Sequence, residues 1–240
     1  MPEPAVIAPP PTGGTESRHR TPVLGLASVR KTWGPGPAPV LDGVHLEVGP
    51  GEAVAVSGAN GAGKTTLLRI ASGLILPDAG TIRVCGHESE SERSECQRRT
   101  GFLSAGNAGL YGRLKAEHHL EFAARLAFIP RRERQVAIRR VVDAFELAPF
   151  CGRRVDRTSM GQRQRLRLAL AFLHDPELVL LDEPATSLDE EGIGLVEAAL
   201  ESLRSRGGAA VICVPTGWRQ VVSVDRHYLL QDGRLTEAAG

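Results

Sequence analysis

Lys64 is one of three lysines in the chain, with Lys31 and Lys115, and its neighbours are those of a lysine that does chemistry. Before it run Gly58, Ala59, Asn60, Gly61, Ala62 and Gly63, and after it come Thr65 and Thr66. This is the GxxxxGK[ST] spacing, in which glycines let the backbone curl so that successive N–H groups point inward at phosphate oxygens. The lysine reaches the outer phosphates and the Thr65 hydroxyl ligates Mg²⁺. The second half of the chemistry lies far downstream in LVLLDEP, where four apolar residues carry Asp182 to the carboxyl end of a buried strand. There it can hold magnesium through water. Glu183 comes next, points elsewhere, and can serve as a general base towards an attacking water.

The flanking sequence supplies the elements that such residues need. GEAVAVSG reads as a buried strand ending in glycine, and LLRIASGL as a helix that stops at the LPDAG turn. VLGLASVR, VHLEV and TIRV read as further strands. From about residue 86 to residue 156, Ser, Glu and Arg rise, and EHHLEFAARLAF and RERQVAIRRVVDAFEL carry apolar residues at helical spacing. From Ser159 the α/β alternation returns: the helix MGQRQRLRLALAFLHD, the strand LVLLDEP, the helix EEGIGLVEAALESLRSR and the strand AAVICV. Strands alternating with helices imply βαβ units around a largely parallel sheet.

Composition narrows the classes. A chain of 240 residues with 42% hydrophobic content suffices for one domain with an inserted subdomain, and a net charge of +1 gives no case for a nucleic-acid partner. Cys85, Cys96, Cys151 and Cys213 lie far apart without a CxxC pair, which suits a reducing cytosol. No apolar run approaches the roughly 20 residues that span a bilayer, and residues 1–22 read as a flexible Pro-rich tail. A membrane role therefore requires a partner. Guanine-reading P-loop proteins use Asn-Lys-x-Asp, and none of the three lysines sits in one. Trp33, after the first strand, is placed to stack on adenine, with a packing tryptophan as the alternative. Ser159 and Gln162 form a possible capping box, which also makes a good anion site at a helix start.

With these motifs in order, the chain resembles the ATP-binding cassette (ABC) transporter ATPases from Val23 to Glu237. Trp33 matches the adenine-stacking aromatic, GANGAGKTT Walker A, TSMGQ the LSGGQ signature, LVLLDEP Walker B, and Ser187 to Asp189 the D-loop. The resemblance implies a P-loop NTPase core with a mostly parallel sheet, an antiparallel β subdomain and an α-helical subdomain inserted at about 86–156, all within 23–240. It implies ATP and Mg²⁺ as ligands, and two cassettes sandwiching two ATPs. Ser159, Gly161 and Gln162 of one chain then face the γ-phosphate held by the other's Lys64, with Asp189 in the D-loop. It also implies a membrane-spanning transporter subunit as partner, docking on the helical subdomain after GLYGRL, and a cytoplasmic position at the inner face of the membrane. SMGQRQR is closest to the ABC-2 exporter branch.

Two family positions are vacant. The glutamine expected after TGFL falls on Ala105 or Gly106, and Asn107 is the nearest amide. The histidine expected after AAVICV falls on Gly217 or Pro215, according to the alignment used. Other histidines have structural explanations: His19 in the tail, His118 and His119 on an exposed helix start, His174 near a helix C-terminus that favours a cation, and His227 on a strand. The expectation is competent ATP·Mg binding with slow turnover. The other reading is a nucleotide-gated dimerising protein that hardly hydrolyses.

Overall fold

The computed structural model describes residues 21–34, 38–106, 109–217 and 222–238. Its centre is a six-stranded sheet in the order β10-β9-β3-β8-β7-β6. The strands are β3 (Ala53–Gly58), β6 (Thr100–Leu103), β7 (Leu178–Asp182), β8 (Ala209–Pro215), β9 (Arg226–Gln231) and β10 (Arg234–Glu237). All pairings are parallel except the β9–β10 hairpin. That hairpin turns through Asp232 and Gly233, both at positive φ, which matches the twist of the strands it joins. A second, antiparallel sheet contains β1 (Leu24–Lys31), β2 (Leu41–Val48), β4 (Ala79–Val84) and β5 (His87–Glu88) in the order β2-β1-β4-β5.

The continuous apolar run of β7 is explained by two cores, one on each face of the parallel sheet. Val179 and Leu181 join one cluster, together with Leu120 of α3 (Ala116–Leu126), Val141 of α4 (Arg131–Ala144), Leu166 of α5 (Met160–Phe172) and Val196 of α6 (Glu190–Ser205). Leu178 and Leu180 enter the other, with Leu67 of α1 (Lys64–Ala71) and the antiparallel sheet. The strand alternates between faces, but both faces are covered, so every position is apolar. Each such side chain contributes roughly 1.5–3 kcal/mol of burial.

The helical insert is shorter than 86–156. That range also holds α2 (Arg93–Arg99) and β6, and β6 is an edge strand of the central sheet, with Thr100 opposite Leu178 and Leu103 opposite Leu181. A four-residue strand containing glycine is too short to announce itself by pattern. Gly101 is needed there, because a Cβ would lie 2.1 Å from the Ala171 carbonyl oxygen of the crossing α5. The insert proper comprises α3, α4 and a 3-10 turn at Val155–Arg157. Of the proposed tail, only Thr21 and Pro22 fall among the described residues.

Two histidine readings are corrected. His119 is buried rather than exposed. Its Nε2 accepts from the Tyr111 N–H at 2.9 Å, its Nδ1 donates to the Lys115 carbonyl at 3.0 Å, and its ring stacks with that of Tyr111. A helix start gives solvent to only one face, and His119 is on the other. His174 is not held as a cation: burial pushes its pKa down, against the opposing effect of its bond to the Thr100 carbonyl. The unfolded state therefore binds more protons than the native state as pH falls below the ordinary histidine value, and stability declines in that range. Melts between pH 7.5 and 5.5 should show this, and His174→Gln should flatten the dependence by at most about 1.4 kcal/mol per pH unit.

Candidate functional site

Loop 59–63 joins the carboxyl end of β3 to the start of α1, and Gly63 makes the entry possible. Its φ is 104°, and a Cβ would press on Val40 Cγ1 at 2.8 Å. The first-turn N–H groups of Lys64, Thr65 and Thr66 have no intrahelical acceptor and are available to an anion. Lys64 is buried, and its ammonium donates to the carbonyls of Gly58 at 2.7 Å and Ala59 at 3.1 Å. It thus lies inside the curl of the loop.

Asp182 ends β7 almost fully buried and accepts from the Thr65 hydroxyl at 2.6 Å. Two hard oxygen donors therefore converge beside the loop. Opposite Asp182 in the sheet lies Cys213, whose thiol burial pushes far above its usual range, so it stays protonated and inert. Glu183 has φ 52°, the left-handed region, which costs a non-glycine residue about 1–3 kcal/mol. Its N–H donates to the Cys213 carbonyl at 2.9 Å. Its carboxylate has no hydrogen-bond or ion-pair partner among the described residues and lines the same cleft as Lys64, Thr65 and Asp182.

Trp33 forms a wall of that cleft, which has a volume of about 420 Å³. Trp33 is 52% exposed, and its Nε1–H donates to Thr66 Oγ1 at 3.4 Å, so the ring is accessible to a flat ligand. Sequence reasoning missed what holds it. Asp78 accepts from Lys31 Nζ and from the Thr32 N–H, each at 2.7 Å, and the Lys31 bond keeps the Asp78 carboxyl below its ordinary range. The ammonium of Lys31 then sits 5.1 Å from the Trp33 ring centroid.

The capping box at α5 is formed in both directions: Gln162 N–H to Ser159 Oγ and Ser159 N–H to Gln162 Oε1, each 3.1 Å. Gly161 lies against the Ser187 carbonyl, 3.0 Å from where a Cβ would be. None of Ser159, Gly161 and Gln162 lines the cleft of Lys64. Asp189 caps α6 through the Gly192 N–H at 2.9 Å, and that bond lowers its pKa. Arg165, also missed, gathers the two regions: it binds Glu146 at 3.1 Å, Asp189 at 3.3 Å and Glu191 at 2.9 Å.

In the segment after β6, Leu103 stands opposite Leu181, so Ser104 and Ala105 follow at the level of Asp182 and Glu183. Ala105 and Gly106 offer no side-chain amide, and Asn107 lies outside the described residues. Pro215 pairs with Gly58, and Gly217 follows at φ 76°. Neither carries a group that can hydrogen-bond as imidazole does.

A family model described as ABC transporter matches residues 41–186. The chain belongs to the ABC transporter family. The cassette is 36% identical over 161 residues to the ABC transporter ATP-binding protein NatA of Bacillus subtilis (strain 168), covering 67% of this chain and 65% of NatA. It is 35% identical over 202 residues to the daunorubicin resistance ATP-binding protein DrrA3 of Streptomyces coeruleorubidus, covering 83% of this chain and 63% of that protein. The chain thus spans a little under two thirds of these relatives' length. Among solved structures, the dimeric post-hydrolysis state of the ATP-binding cassette MJ0796 bound to ADP and Pi matches with a TM-score of 0.77 at 25% identity, over 90% of this chain and 99% of that one.

Within the cassette, Arg165 is the residue whose removal should loosen the join between α5, Asp189 and the helical insert. Its partners are largely exposed, so the effect is modest. Arg165→Met should lower the melting temperature by roughly 2–4 °C, and raising the salt concentration to 0.5 M should narrow that gap by screening the wild-type pairs.

Proposed function

We propose that this chain is the ATP-binding and ATP-hydrolysing subunit of an ABC transporter, powering transport through a separate membrane-spanning subunit in the export direction. The observation that carries this reading is the convergence of Lys64, Thr65, Asp182 and an unpartnered Glu183 on one cleft walled by Trp33. Trp33 stacks on adenine, loop 58–63 and the first turn of α1 wrap the phosphates, and Lys64 exchanges its carbonyl bonds for phosphate oxygens. Thr65 Oγ1 and Asp182 Oδ2, 2.6 Å apart, are the oxygen donors Mg²⁺ prefers, and the ion would supply charge neutralisation at the β- and γ-phosphates. Glu183 accepts the proton of the attacking water.

The signature residues lie outside their own chain's cleft, which supports a second cassette, self or homologue, bringing Ser159, Gly161 and Gln162 to this chain's ATP. The dimeric structure of the related cassette MJ0796 bound to ADP and Pi supports pairing of two cassettes. Among the described residues, no helix is long and apolar enough to cross a membrane. We propose that its membrane partner holds the chain at the cytoplasmic face. The helical insert exposes Tyr111, Phe122, Leu126 and Phe128, the last at 83%, and these are the contacts we assign to that partner.

Turnover is slow in this reading, because Ala105 or Gly106 and Gly217 or Pro215 stand where polar groups would meet the γ-phosphate and its water. A preorganised donor of this kind is worth on the order of 3 kcal/mol in the transition state. A second reading, a nucleotide-gated dimerising protein with little hydrolysis, is favoured by the same vacancies. Single-turnover hydrolysis of radiolabelled ATP separates them. Slow hydrolysis that Glu183→Gln lowers at least tenfold, with ATP·Mg binding retained, supports the enzyme, whereas ATP-dependent dimerisation without product supports the switch. For the partner, Tyr111→Asp combined with Phe122→Asp should abolish co-purification with the membrane subunit and leave ATP binding intact.

A further inference from the structure

We infer that Arg167 is a positioning residue for hydrolysis, tying the loop after β6 to the backbone that follows Glu183 through a buried hydrogen-bond relay. Arg167 lies on α5 where the helix crosses β6, and it is only 7% exposed. The guanidinium bonds Gln164 and Ser104 and has no carboxylate within ion-pair distance among the described residues, and burial draws its pKa below the usual arginine value. A desolvated cation without a carboxylate is expensive, and an apolar side chain of similar length would fill the same place more cheaply. Its bonds indicate what the cation holds in place.

Arg167 Nη2 donates to the Ser104 carbonyl and, at 3.4 Å, reaches Ser104 Oγ. Nη1 donates to Gln164 Oε1 at 2.8 Å. Gln164, itself buried, passes the contact on: its Nε2 donates to the Pro184 carbonyl at 2.9 Å. The relay therefore runs from Ser104 through Arg167 and Gln164 to Pro184, the residue after the left-handed Glu183. Both ends lie at the carboxyl edge of the sheet, since Leu103 pairs with Leu181. The close contact of Gly101 with the Ala171 carbonyl sets α5 flush against β6, which brings the guanidinium within reach of Ser104.

In the loop at 104–106, Ala105 and Gly106 carry no side-chain hydrogen-bonding group, and the Ser104 hydroxyl lies 3.4 Å from Arg167 Nη2. The loop's connection to Glu183 runs beneath the cleft, through the buried guanidinium. A displaced loop then moves the Pro184 carbonyl, and with it the turn that aims the Glu183 carboxylate. This rests on the hydrolytic role proposed for Glu183, which Glu183→Gln tests separately: if that change leaves single-turnover hydrolysis untouched, the role of Glu183 fails whatever Arg167 does.

The test is Arg167→Met, measured for single-turnover rate, ATP·Mg affinity and melting temperature. The expected result is a rate at least tenfold lower, with affinity within threefold of the original chain, because Lys64, Thr65 and Trp33 do not depend on the relay. Arg167→Lys keeps one donor to Ser104 and should recover part of the rate. Gln164→Leu cuts the relay at its other end and should match Arg167→Met, with the double variant no slower than either single one. Gln164→Leu also decides the question if Arg167→Met does not fold. A normal rate in folded Arg167→Met or Gln164→Leu overturns the proposal, as does a rate and affinity that fall together in proportion to lost folded protein.

Discussion

Thr65 and Asp182 are 117 positions apart in the chain, and the 2.6 Å bond between them depends on the register of three buried parallel strands. β3 pairs with β8 so that Gly58 meets Pro215, and β8 pairs with β7 so that Cys213 meets Asp182. A slip of one residue in β7 would exchange Val179 and Leu181 with Leu178 and Leu180 between two differently shaped cores, and would carry Asp182 away from Thr65. Apolar packing on both faces thus sets the spacing of the polar groups. The sheet can afford the buried lysine and aspartate because each finds hydrogen-bond partners at its edge.

Around that fixed pair the molecule concentrates features that an ordinary surface would not retain. Glu183 sits in the left-handed region although glycine would relieve it, held by its N–H to the carbonyl of Cys213. The price in backbone energy is accepted where the chain must leave β7 sharply and turn a carboxylate back towards the cleft. Cys213, kept as a neutral thiol by burial beside Asp182, adds no charge of its own there. The strained residue, the buried cation and the buried anion lie within three strands' width.

What the sequence revealed was what repeats locally or is fixed by spacing. GANGAGKTT and LVLLDEP have fixed offsets, and the capping box of Ser159 and Gln162 lies within one helical turn, so each could be read without knowing the fold. What escaped depended on tertiary neighbours. TGFL is a strand only because β7 accepts it and Gly101 lets α5 pass, and so the helical insert looked longer than it is. His119 reads as exposed until the Tyr111 loop folds over it. Asp78 looks like part of a turn, although it fixes the segment bearing Trp33. Arginines in RQRLRL suggest a solvated face, yet Arg165 and Arg167 serve two different joins, and no pattern of residue types distinguishes them from the rest.

That last pair holds α5 on two sides. Residues two apart on a helix do not share a face, and here Arg165 meets Glu146, Asp189 and Glu191 while Arg167 faces Ser104 and Gln164. The helix is therefore pinned on one side to the insert and to the start of α6, and on the other to the edge strand and the turn after Glu183. Its N-terminus carries Ser159, capped and turned away from its own cleft. One 13-residue helix thus carries the Ser159 cap, the Arg165 ion pairs and the Arg167 and Gln164 bonds on a single rigid element. Ser159 and Gln162, bonded to each other and lying outside their own chain's cleft, are thus joined along α5 to Gln164, which bonds the carbonyl of the residue after Glu183.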